Sequence, residues 1–344
     1  MKRLILFFTL VITAFNFNTQ AQNVIAVEHS GVSTFYQNLD TALFHAVSGD
    51  MVYLPGTSYN IGTLILNKGV HIVGAGCNID SSLATNPTVF LGTLRIINGA
   101  NSGSIEGVYF NGDIYFGTTP LDQTVNTFSV KRCYFNNINL SFDGGTSTAS
   151  TNLDLDEDII KGSIYGGNAQ NVEVSKCIIE NYANNFNGNV VFSNNIFLRM
   201  PGCCDYISYS VNTTTYQNNI FLTNHNLLGS GSGNSYIHNL FVGPDIVPGG
   251  NIDNGNIINV LQDSIFINQA GNTYNIAHNY HLRPTCAGKN AGTDGTDIGL
   301  YGTTSPKKDG EIPYNPHIQT KAIPSSTDSQ GNLNVNIKVK AQNN

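Results

Sequence analysis

The sequence is poor in charged side chains and contains no tryptophan. Only 11% of its 344 residues are Asp, Glu, Lys or Arg, and the formal net charge is −7. An acidic balance argues against a nucleic-acid partner, because nucleic-acid-binding domains concentrate Lys and Arg on one surface. It does not exclude an anionic polysaccharide, since a local basic groove can override the net charge. Low charge with abundant Gly, Asn and Thr is typical of a stacked β structure with a polar, uncharged surface.

Long apolar runs are also absent, apart from one at the amino terminus. Within residues 1–21, two basic residues precede an apolar run from Leu4 to Phe17, and the small-residue sequence Thr-Gln-Ala21 follows. This order is typical of a cleaved secretion signal. The run is interrupted by Thr and Asn and is short for a bilayer span. We therefore predict a secreted protein, extracellular or periplasmic, with no membrane span after cleavage of the signal.

One short phrase occurs three times in the middle of the chain. It reads Phe192-Ser-Asn-Asn195-Ile-Phe197, Tyr216-Gln-Asn-Asn219-Ile-Phe221 and Tyr236-Ile-His-Asn239-Leu-Phe241. Five further segments keep only its two apolar residues, five positions apart, which makes eight copies in all. Their last residues are Phe110, Phe135, Ile160, Ile179, Phe197, Phe221, Phe241 and Phe266. The mean spacing of roughly 22 residues indicates a solenoid built from one stacked unit.

The repeated unit has the pattern of short strands. Apolar residues alternate with polar ones, as in Phe128 and Val130 or Val172 and Val174, which is the period of a strand. Clusters of Gly, Asn, Ser and Thr between the phrases indicate turns. Leucine-rich repeats would require Leu at fixed spacings, whereas Leu is scattered here. The pattern predicts a parallel β-helix of ten or eleven coils, about 50 Å long.

The central asparagines of the phrase, Asn195, Asn219 and Asn239, occupy equivalent positions in successive copies. Since coils stack about 4.8 Å apart, identical amides superpose and pass hydrogen bonds along the stack. We interpret these asparagines as a structural ladder and not as catalytic groups. An Asn at a tight bend would also tolerate the left-handed conformation that such a bend needs.

The two ends of the solenoid carry distinct signals. Residues Asn38 to Val47 have a helical pattern with Asp40 as the expected N-cap, and a short amphipathic helix can cover a first coil. After residue 302 a Pro-, Lys- and Ser-rich linker leads to the alternating segment Leu333 to Val339, within a tail spanning 303–344. This segment predicts a strand that either closes the final coil or lies along the side of the solenoid.

Six cysteines in an exported protein allow disulfides without requiring them. Cys133 and Cys177 share one repeat position but lie two coils apart, about 9.6 Å, which is beyond the span of a disulfide. Both are interpreted as small buried residues. The pairing of Cys77, Cys203, Cys204 and Cys286 stays open.

Three segments resemble a known superfamily. They are Gly49-Asp-Met-Val-Tyr-Leu-Pro-Gly56, Val70-His-Ile-Val-Gly-Ala-Gly76 and the stretch from Thr285 to Gly302. The chain from Val24 to Gly302 resembles the right-handed parallel β-helix proteins of the pectin-lyase-like superfamily, in particular secreted bacterial members. The resemblance implies a β-helix domain over residues 22–302. It implies no single function, because the superfamily includes lyases, hydrolases, epimerases, adhesins and non-catalytic binders.

The motifs that this resemblance would lead one to expect in a hydrolase are missing. Asn-Thr-Asp, Asp-Asp, Gly-His-Gly and Arg-Ile-Lys do not occur in the sequence. A lyase would need a basic side chain and a means of neutralising the substrate acid, often calcium held by carboxylates. The charged columns Glu106/Lys131/Asp156/Ser175, Arg132/Glu157/Lys176 and Asp154/Glu173 are interpreted as salt bridges on a solvated face. Asp154 and Asp156 could instead hold Ca²⁺; no other cofactor is expected.

The resemblance further implies a carbohydrate groove on the strand two segments before the asparagine bend. If Ile114, Ile138, Ile164 and Ile207 point inward, the solvent-facing residues are Asp113, Tyr115, Asn139, Ser141, Tyr165, Tyr206 and Ser208. Tyrosine rings beside amides and hydroxyls suit a sugar-binding surface, although they are equally ordinary on an exposed β surface. The candidate catalytic group is Arg199 with Asp205 and Tyr206, since no other Lys or Arg is expected near these strands.

These observations predict a protein that binds a polysaccharide or a cell-surface glycan, in carbohydrate recognition or surface adhesion. The alternative is a polysaccharide lyase or glycoside hydrolase acting on an acidic polysaccharide. A purely structural component of an extracellular assembly is a third interpretation.

Overall fold

The computed structural model describes residues 24–142, 150–199, 207–222, 231–244, 247 and 249–341, without the side chains of 209 and 210. The expected secretion signal therefore lies outside the described residues. Within them the chain forms a parallel β-helix in which each complete turn contributes three short strands. We number the three strand positions of a turn as faces 1, 2 and 3, in the order in which the chain visits them; faces 2 and 3 belong to one continuous sheet.

Face 1 contains the parallel strands Met51–Tyr53, His71–Val73, Ser104–Glu106, Asn126–Lys131, Thr151–Asp156, Gln170–Ser175, Val190–Ser193, Thr214–Gln217, Ser235–Ile237 and Ile252–Asn254. Face 2 contains Val108–Phe110, Tyr134–Phe135, Ile159–Ile160, Ile178–Ile179, Ile196–Phe197, Ile220–Phe221 and Leu240–Phe241. Face 3 contains Ile114–Phe116, Ile138–Asn139, Ile164–Tyr165, Ala183–Phe186 and Ser208–Val211. The long strands Ser58–Leu66 and Thr88–Ile96 run through faces 2 and 3 together.

The core is a set of columns in which like side chains stack from coil to coil. Phe192, Tyr216 and Tyr236 stack face to face at 4.9 and 5.0 Å between ring centroids. Phe197, Phe221 and Phe241 form a second stack at 4.7 and 4.8 Å. The closing residue of the repeated phrase is therefore a core residue. Burial of such rings, together with their stacking, stabilises each coil on the next.

The amino-terminal end is covered as expected, with one change at the cap. The strands Ile25–His29 and Val32–Tyr36 form an antiparallel hairpin, and the helix Leu39–His45 follows it. Its N-cap is Asn38, whose side chain accepts hydrogen bonds from the backbone of Asp40 and Thr41. The prediction of Asp40 was wrong because Asn38 stands where its oxygen reaches the free N–H groups of the first turn.

The asparagine ladder runs along the bend between faces 1 and 2. Asn195 Nδ2 donates to Asn219 Oδ1, and Asn219 Nδ2 donates to Asn239 Oδ1, each at 3.0 Å. Each amide oxygen also accepts from the backbone N–H of the preceding coil, as in Asn195 N to Asn219 Oδ1 at 2.9 Å. The ladder continues to Asn256, which the sequence pattern did not identify.

The left-handed residue of the bend is the one before the ladder asparagine. Asn194, Asn218 and His238 have φ between 52° and 58°, whereas Asn195, Asn219 and Asn239 do not enter that region. The ladder position is thus selected for its amide. The position before it is the one that needs a residue tolerant of left-handed backbone, and Asn194 and Asn218 occupy it in two of the three copies.

Asp158 takes the ladder position of its own coil and is fully buried. Its Oδ1 accepts from the backbone N–H of Cys133 at 2.8 Å, while its Oδ2 has no hydrogen-bond partner within the described chain. Burial raises the pKa of the Asp158 carboxyl well above its usual value of 3.8, which favours its protonated form in the folded protein. Two coils further along the ladder, after Cys177, Asn195 Nδ2 donates to the carbonyl of Val174 at 2.8 Å. An asparagine would supply this donor without a bound proton.

We expect Asp158→Asn to stabilise the protein at neutral pH by about 1–3 kcal/mol. Below about pH 4 the Asp158 carboxyl is protonated in the folded and the unfolded chain, so it costs the folded state no stability. Above that pH the unfolded chain releases this proton more readily than the folded chain, because the folded pKa is raised, and the free energy of unfolding falls as pH rises. The advantage of the variant should therefore grow with pH in chemical denaturation between about pH 4 and pH 8. Asp156→Asn, which breaks the 2.9 Å ion pair with Lys176, is the control and should give no gain. A variant less stable than the parent at pH 8 would refute this assignment.

The solenoid has about eight turns, against the ten or eleven expected from the repeat. The chain leaves the solenoid after Ile257, which forms a backbone bridge with Leu240, so the residues beyond it add no further turn. Phe266, interpreted from the sequence as the eighth repeat marker, instead lies in the antiparallel hairpin Phe266–Asn268/Asn279–Leu282, after the 3₁₀ turn Gln262–Ser264. An apolar pair five residues apart was too permissive a criterion at this point.

Residues 260–316, here termed the C-terminal cover, return along the outside of face 2. Their apolar side chains pack on the outward residues Ile178, Ile196, Ile220 and Leu240. Further along, the cover follows the bend, where Asn194 Nδ2 donates to the carbonyl of Gly299 and the N–H of Thr293 donates to Asn218 Oδ1, both at 3.0 Å. The cover therefore runs back toward the amino-terminal coils.

The tail beyond the cover forms a separate exposed hairpin of His317–Ala322 and Asn336–Lys340. The sequence left open whether this strand closes the final coil or lies along the side of the solenoid, and the strand does not close the final coil. Ile318 and Lys321 instead line a cleft with Pro55 to Ser58, so the hairpin lies beside the first coils.

No helix in the described part of the chain is long and apolar enough to cross a membrane. Cys77, Cys133, Cys177 and Cys286 are buried free thiols, in agreement with the interpretation of Cys133 and Cys177, while Cys203 and Cys204 lie outside the described residues.

Candidate functional site

Face 3 carries a regular column of polar and aromatic side chains on its outer surface. Backbone pairing aligns Arg95 with Tyr115, Tyr115 with Asn139, Asn139 with Tyr165, and Tyr165 with Asn184. These five residues are termed the face-3 column. All five are half-buried, and the rungs repeat about every 4.8 Å, so the column is about 19 Å long. Its length and spacing suit an extended polymer.

Tyr115 is held in a fixed orientation at one end of the column. Its hydroxyl donates to Asp113 Oδ2 at 2.9 Å, and Asp113 Oδ1 in turn accepts from the backbone and side-chain nitrogens of Asn137 at 3.0 and 3.1 Å. Burial and the adjacent Asp113 raise the pKa of Tyr115, so the phenol stays neutral. Arg95 lies 4.7 Å from the ring centroid and donates to the carbonyl of Gly117 at 2.9 Å.

Tyr165 is positioned in a similar way by a second tyrosine. Its hydroxyl lies 3.2 Å from that of Tyr182, and the two rings meet edge to face at 5.9 Å. Burial and this hydrogen bond raise the pKa of Tyr165. Arg199 lies 5.2 Å from the Tyr182 ring and donates to Asn181 Oδ1. Both tyrosines of the column are thus held by a hydrogen bond, with Arg95 over Tyr115 and Arg199 over Tyr182, the partner of Tyr165.

Two of the residues expected at this surface point inward. Ser141 is 7% exposed and donates to Gln123 Oε1 at 3.0 Å, because the strand Ile138–Asn139 ends before it. Ser208 is 3% exposed and hydrogen-bonds the hydroxyl of Tyr216 at 2.8 Å. Its backbone pairs with Ala183, an inward position, so Ser208 was assigned to the wrong side of the strand, although Ile207 before it is buried as expected.

The same pairing places Tyr209 opposite Asn184, at the next register position of the column. Asp205 and Tyr206 lie outside the described residues, so of the predicted cluster with Arg199 only the arginine is described.

Arg95 and Asn184 are the column residues that the sequence reasoning missed. The expectation that no Lys or Arg falls near these strands was wrong, because Arg95 lies one coil before the first repeat marker at Phe110. Arg95 belongs to the preceding coil, between the buried Leu94 and Ile96. That alternation is visible in the sequence and would have identified it.

The charged columns of face 1 are aligned as expected, but their solvent exposure differs. Arg132 and Glu157 are 1% and 0% exposed, because the C-terminal cover lies over them. Tyr314 stacks on the guanidinium of Arg132 at 3.4 Å, and Lys307 Nζ donates to the carbonyl of Glu157 at 2.6 Å. The bend is therefore an internal ion network and not a solvated surface.

The proposed calcium ligands Asp154 and Asp156 are engaged by lysines. Asp154 pairs with Lys131 at 2.8 Å and Asp156 with Lys176 at 2.9 Å. In the ranges that the structure describes, no three His, Cys, Asp or Glu side chains are grouped so as to hold a metal ion.

Comparisons with known proteins give little further detail. No protein-family model and no curated protein sequence matches the chain. Among solved structures, a mutant of AlyGC, an alginate lyase of the PL6 family, matches with a TM-score of 0.35 and 16% identity. The match covers 64% of this chain and 36% of the alginate lyase chain, so the chain aligns with little more than a third of that protein. Neither a family nor an activity for this chain follows from this match.

Proposed function

We propose that this protein is a secreted carbohydrate-binding or surface-adhesion β-helix protein that binds a polysaccharide or cell-surface glycan along the face-3 column. The observation that supports this proposal is the alternation of fixed tyrosine rings with amides, from Tyr115 through Asn139 to Tyr165 and Asn184, on consecutive rungs. A ring offers an apolar surface to the C–H groups of a sugar, and the amide beside it binds hydroxyl groups.

The hydrogen bonds of the column favour binding because they reduce its entropic cost. The hydroxyl of Tyr115 is held by Asp113 and that of Tyr165 by Tyr182, so neither ring has to be ordered by a ligand. Arg95 lies over Tyr115 and Arg199 over Tyr182, and the Asp113 carboxylate offsets one of these two positive charges. The remaining positive charge favours an acidic polysaccharide over a neutral one.

We expect Tyr115→Ala and Tyr165→Ala each to weaken glycan binding at least about tenfold, which corresponds to about 1.4 kcal/mol. A glycan array identifies the ligand, and calorimetric titration of the best oligosaccharide measures the change. Tyr53→Ala is the matched control, since this half-buried tyrosine lies on face 1, and it should bind like the parent. Unchanged binding in both column variants would show that the glycan binds elsewhere.

The alternative function, an acidic-polysaccharide lyase or glycoside hydrolase, is favoured by the grouping of Arg95, Tyr115 and Asp113. A phenol beside a guanidinium provides a proton-transfer group and a cation that can neutralise a uronate. The same preparations should therefore be incubated with uronate polysaccharides and monitored for unsaturated ends and reducing sugar. A product signal that is lost in Arg95→Ala or Arg199→Ala would replace the binding-only proposal with catalysis.

A further inference from the structure

A separate recess lies on the outside of face 2, next to the C-terminal cover. It has a volume of about 400 Å³. Its floor is formed by the outward residues of four successive rungs, Val89, Tyr109, Tyr134 and Ile159. Its walls come from the loop containing Cys77, Asn78, Ile79 and Pro87, and from Tyr274 and Ile276 of the cover. We term it the apolar recess.

The recess exists because the cover does not seal the whole of face 2. From Ile178 onward the outward side chains are packed under the cover, whereas the rungs before it are bordered by the loop containing Cys77 and Pro87 and, on the cover side, by Tyr274 and Ile276. The floor is nevertheless ordered: Tyr109 and Tyr134 stack at 4.6 Å with their planes 12° apart, and Tyr274 meets Tyr134 edge-on at 6.2 Å. Four rungs span about 14 Å, which leaves room for a flat two-ring molecule over the tyrosines.

A polar chamber of about 390 Å³ adjoins the apolar recess, and Asn78, Tyr274 and Ile276 line both. The chamber is lined by His278, Asn279, His281, Asp80 and Asp309, among others. His281 stacks on Tyr301 at 3.6 Å, and the hydroxyl of Tyr301 donates to Asp309 at 2.6 Å. Hydrogen-bonding groups are therefore concentrated in the chamber, on one side of the apolar recess.

The charge of the chamber limits what it can accept. Lys307 lines it but is buried, with its ammonium donating to the Glu157 carbonyl and paired with Glu311 at 3.4 Å. The remaining carboxylates, Asp80 and Asp309, leave the chamber acidic. An anionic head group is thus disfavoured. On the floor, burial raises the pKa of Tyr134 to about 12, so its hydroxyl remains a neutral donor.

We propose that the apolar recess and the polar chamber together bind a small amphipathic molecule with a flat aromatic body and an uncharged, hydroxylated head. The body lies over Tyr109 and Tyr134, and the head reaches His278 and Asn279. Each compartment is within the usual size of ligand pockets, and an apolar lining with a few convergent polar groups is their usual composition. This site is distinct from the face-3 column and does not depend on it.

The test uses the full chain and the fluorescent probe 4-methylumbelliferyl β-D-glucopyranoside in equilibrium dialysis. The intact aryl glycoside should bind at least about tenfold more tightly than either 4-methylumbelliferone or methyl β-D-glucopyranoside, because each half fills one compartment. The anionic 4-methylumbelliferyl β-D-glucuronide should bind more weakly than the glucoside. Equal binding of all four compounds, or no binding of the glucoside, would overturn the proposal.

Variants at the rim localise the site. Ile79→Trp and Ile276→Trp add bulk at positions 60% and 41% exposed, where folding should tolerate it, and each should weaken glucoside binding at least about tenfold. Leu121→Trp, at a position 90% exposed in another loop, is the matched control and should leave binding unchanged. Tyr115→Ala should also leave it unchanged. Loss of binding in Tyr115→Ala, or full binding in both rim variants, would place the probe outside the recess and refute this site.

Discussion

Arg132→Met is expected to lower the free energy of unfolding by about 3–5 kcal/mol, because it leaves the buried Glu157 carboxylate without its closest cation. The Arg132 guanidinium donates to both oxygens of Glu157, at 3.0 and 3.1 Å, and to Glu106 at 2.9 Å. Arg132 holds the pKa of Glu157 below its usual value despite the burial of that carboxyl, so Glu157 is charged at neutral pH. Removing the cation also removes the surface on which Tyr314 of the C-terminal cover packs.

Guanidinium denaturation at pH 7 measures this loss, with Lys131→Met as the neighbouring control. Lys131 pairs with Asp154 at 2.8 Å, but both side chains are 35% exposed, so solvent screens the interaction. The control should change the free energy of unfolding by less than about 1 kcal/mol. Equal effects of the two substitutions would mean that the cover does not bury the Arg132 network.

Asn219→Leu is expected to destabilise the protein by about 3 kcal/mol or more, since the substitution leaves several buried groups unpaired. The Asn219 amide accepts from the N–H and the side chain of Asn195, and it donates to the carbonyl of Phe192 at 2.8 Å. Leucine has a similar volume but no polar atoms. These partners would lose their hydrogen bonds inside the core, where water cannot replace them.

The matched substitution Asn98→Leu lies at an exposed position and should change stability by less than about 0.5 kcal/mol. Thermal unfolding of the two variants beside the parent makes the comparison. A melting temperature for Asn219→Leu close to that of Asn98→Leu would contradict the role of the amides as the spine of the solenoid.

The spine was predictable from the sequence because its chemistry repeats with the coil. Stacking places equivalent residues about 4.8 Å apart, so a side chain that bonds its own copy is reused at the same position. Asn195, Asn219 and Asn239 make this visible. Asp158 and Asn256 occupy the same column but lie in copies whose flanking residues diverge, and their role appears only when the hydrogen bonds are traced.

The C-terminal cover was not predictable in this way. Its contacts join residues about 150 positions apart, such as Lys307 and Glu157, and they follow no period. The sequence reasoning consequently assigned the Arg132 column to a solvated face. Burial of that column depends on where a non-repeating segment returns, and this information is tertiary.

The candidate site was predictable in part. Tyr115, Asn139 and Tyr165 are on the outer surface of face 3 because strand alternation around Ile114, Ile138 and Ile164 determines their side. Ser208 was assigned to the wrong side because the sequence before that strand, which includes Pro201 and Gly202, has no regular alternation to set the phase. An error of one residue in the phase of that strand exchanges its buried and its exposed side chains.

The central claim is that glycan binds along the face-3 column, and a crystal structure with a bound acidic oligosaccharide tests it most directly. We predict sugar density over the rings of Tyr115 and Tyr165, with Asn139 hydrogen-bonded between them and Arg95 near a carboxylate. Density elsewhere on the solenoid at saturating ligand, with the column unoccupied, would contradict the proposal.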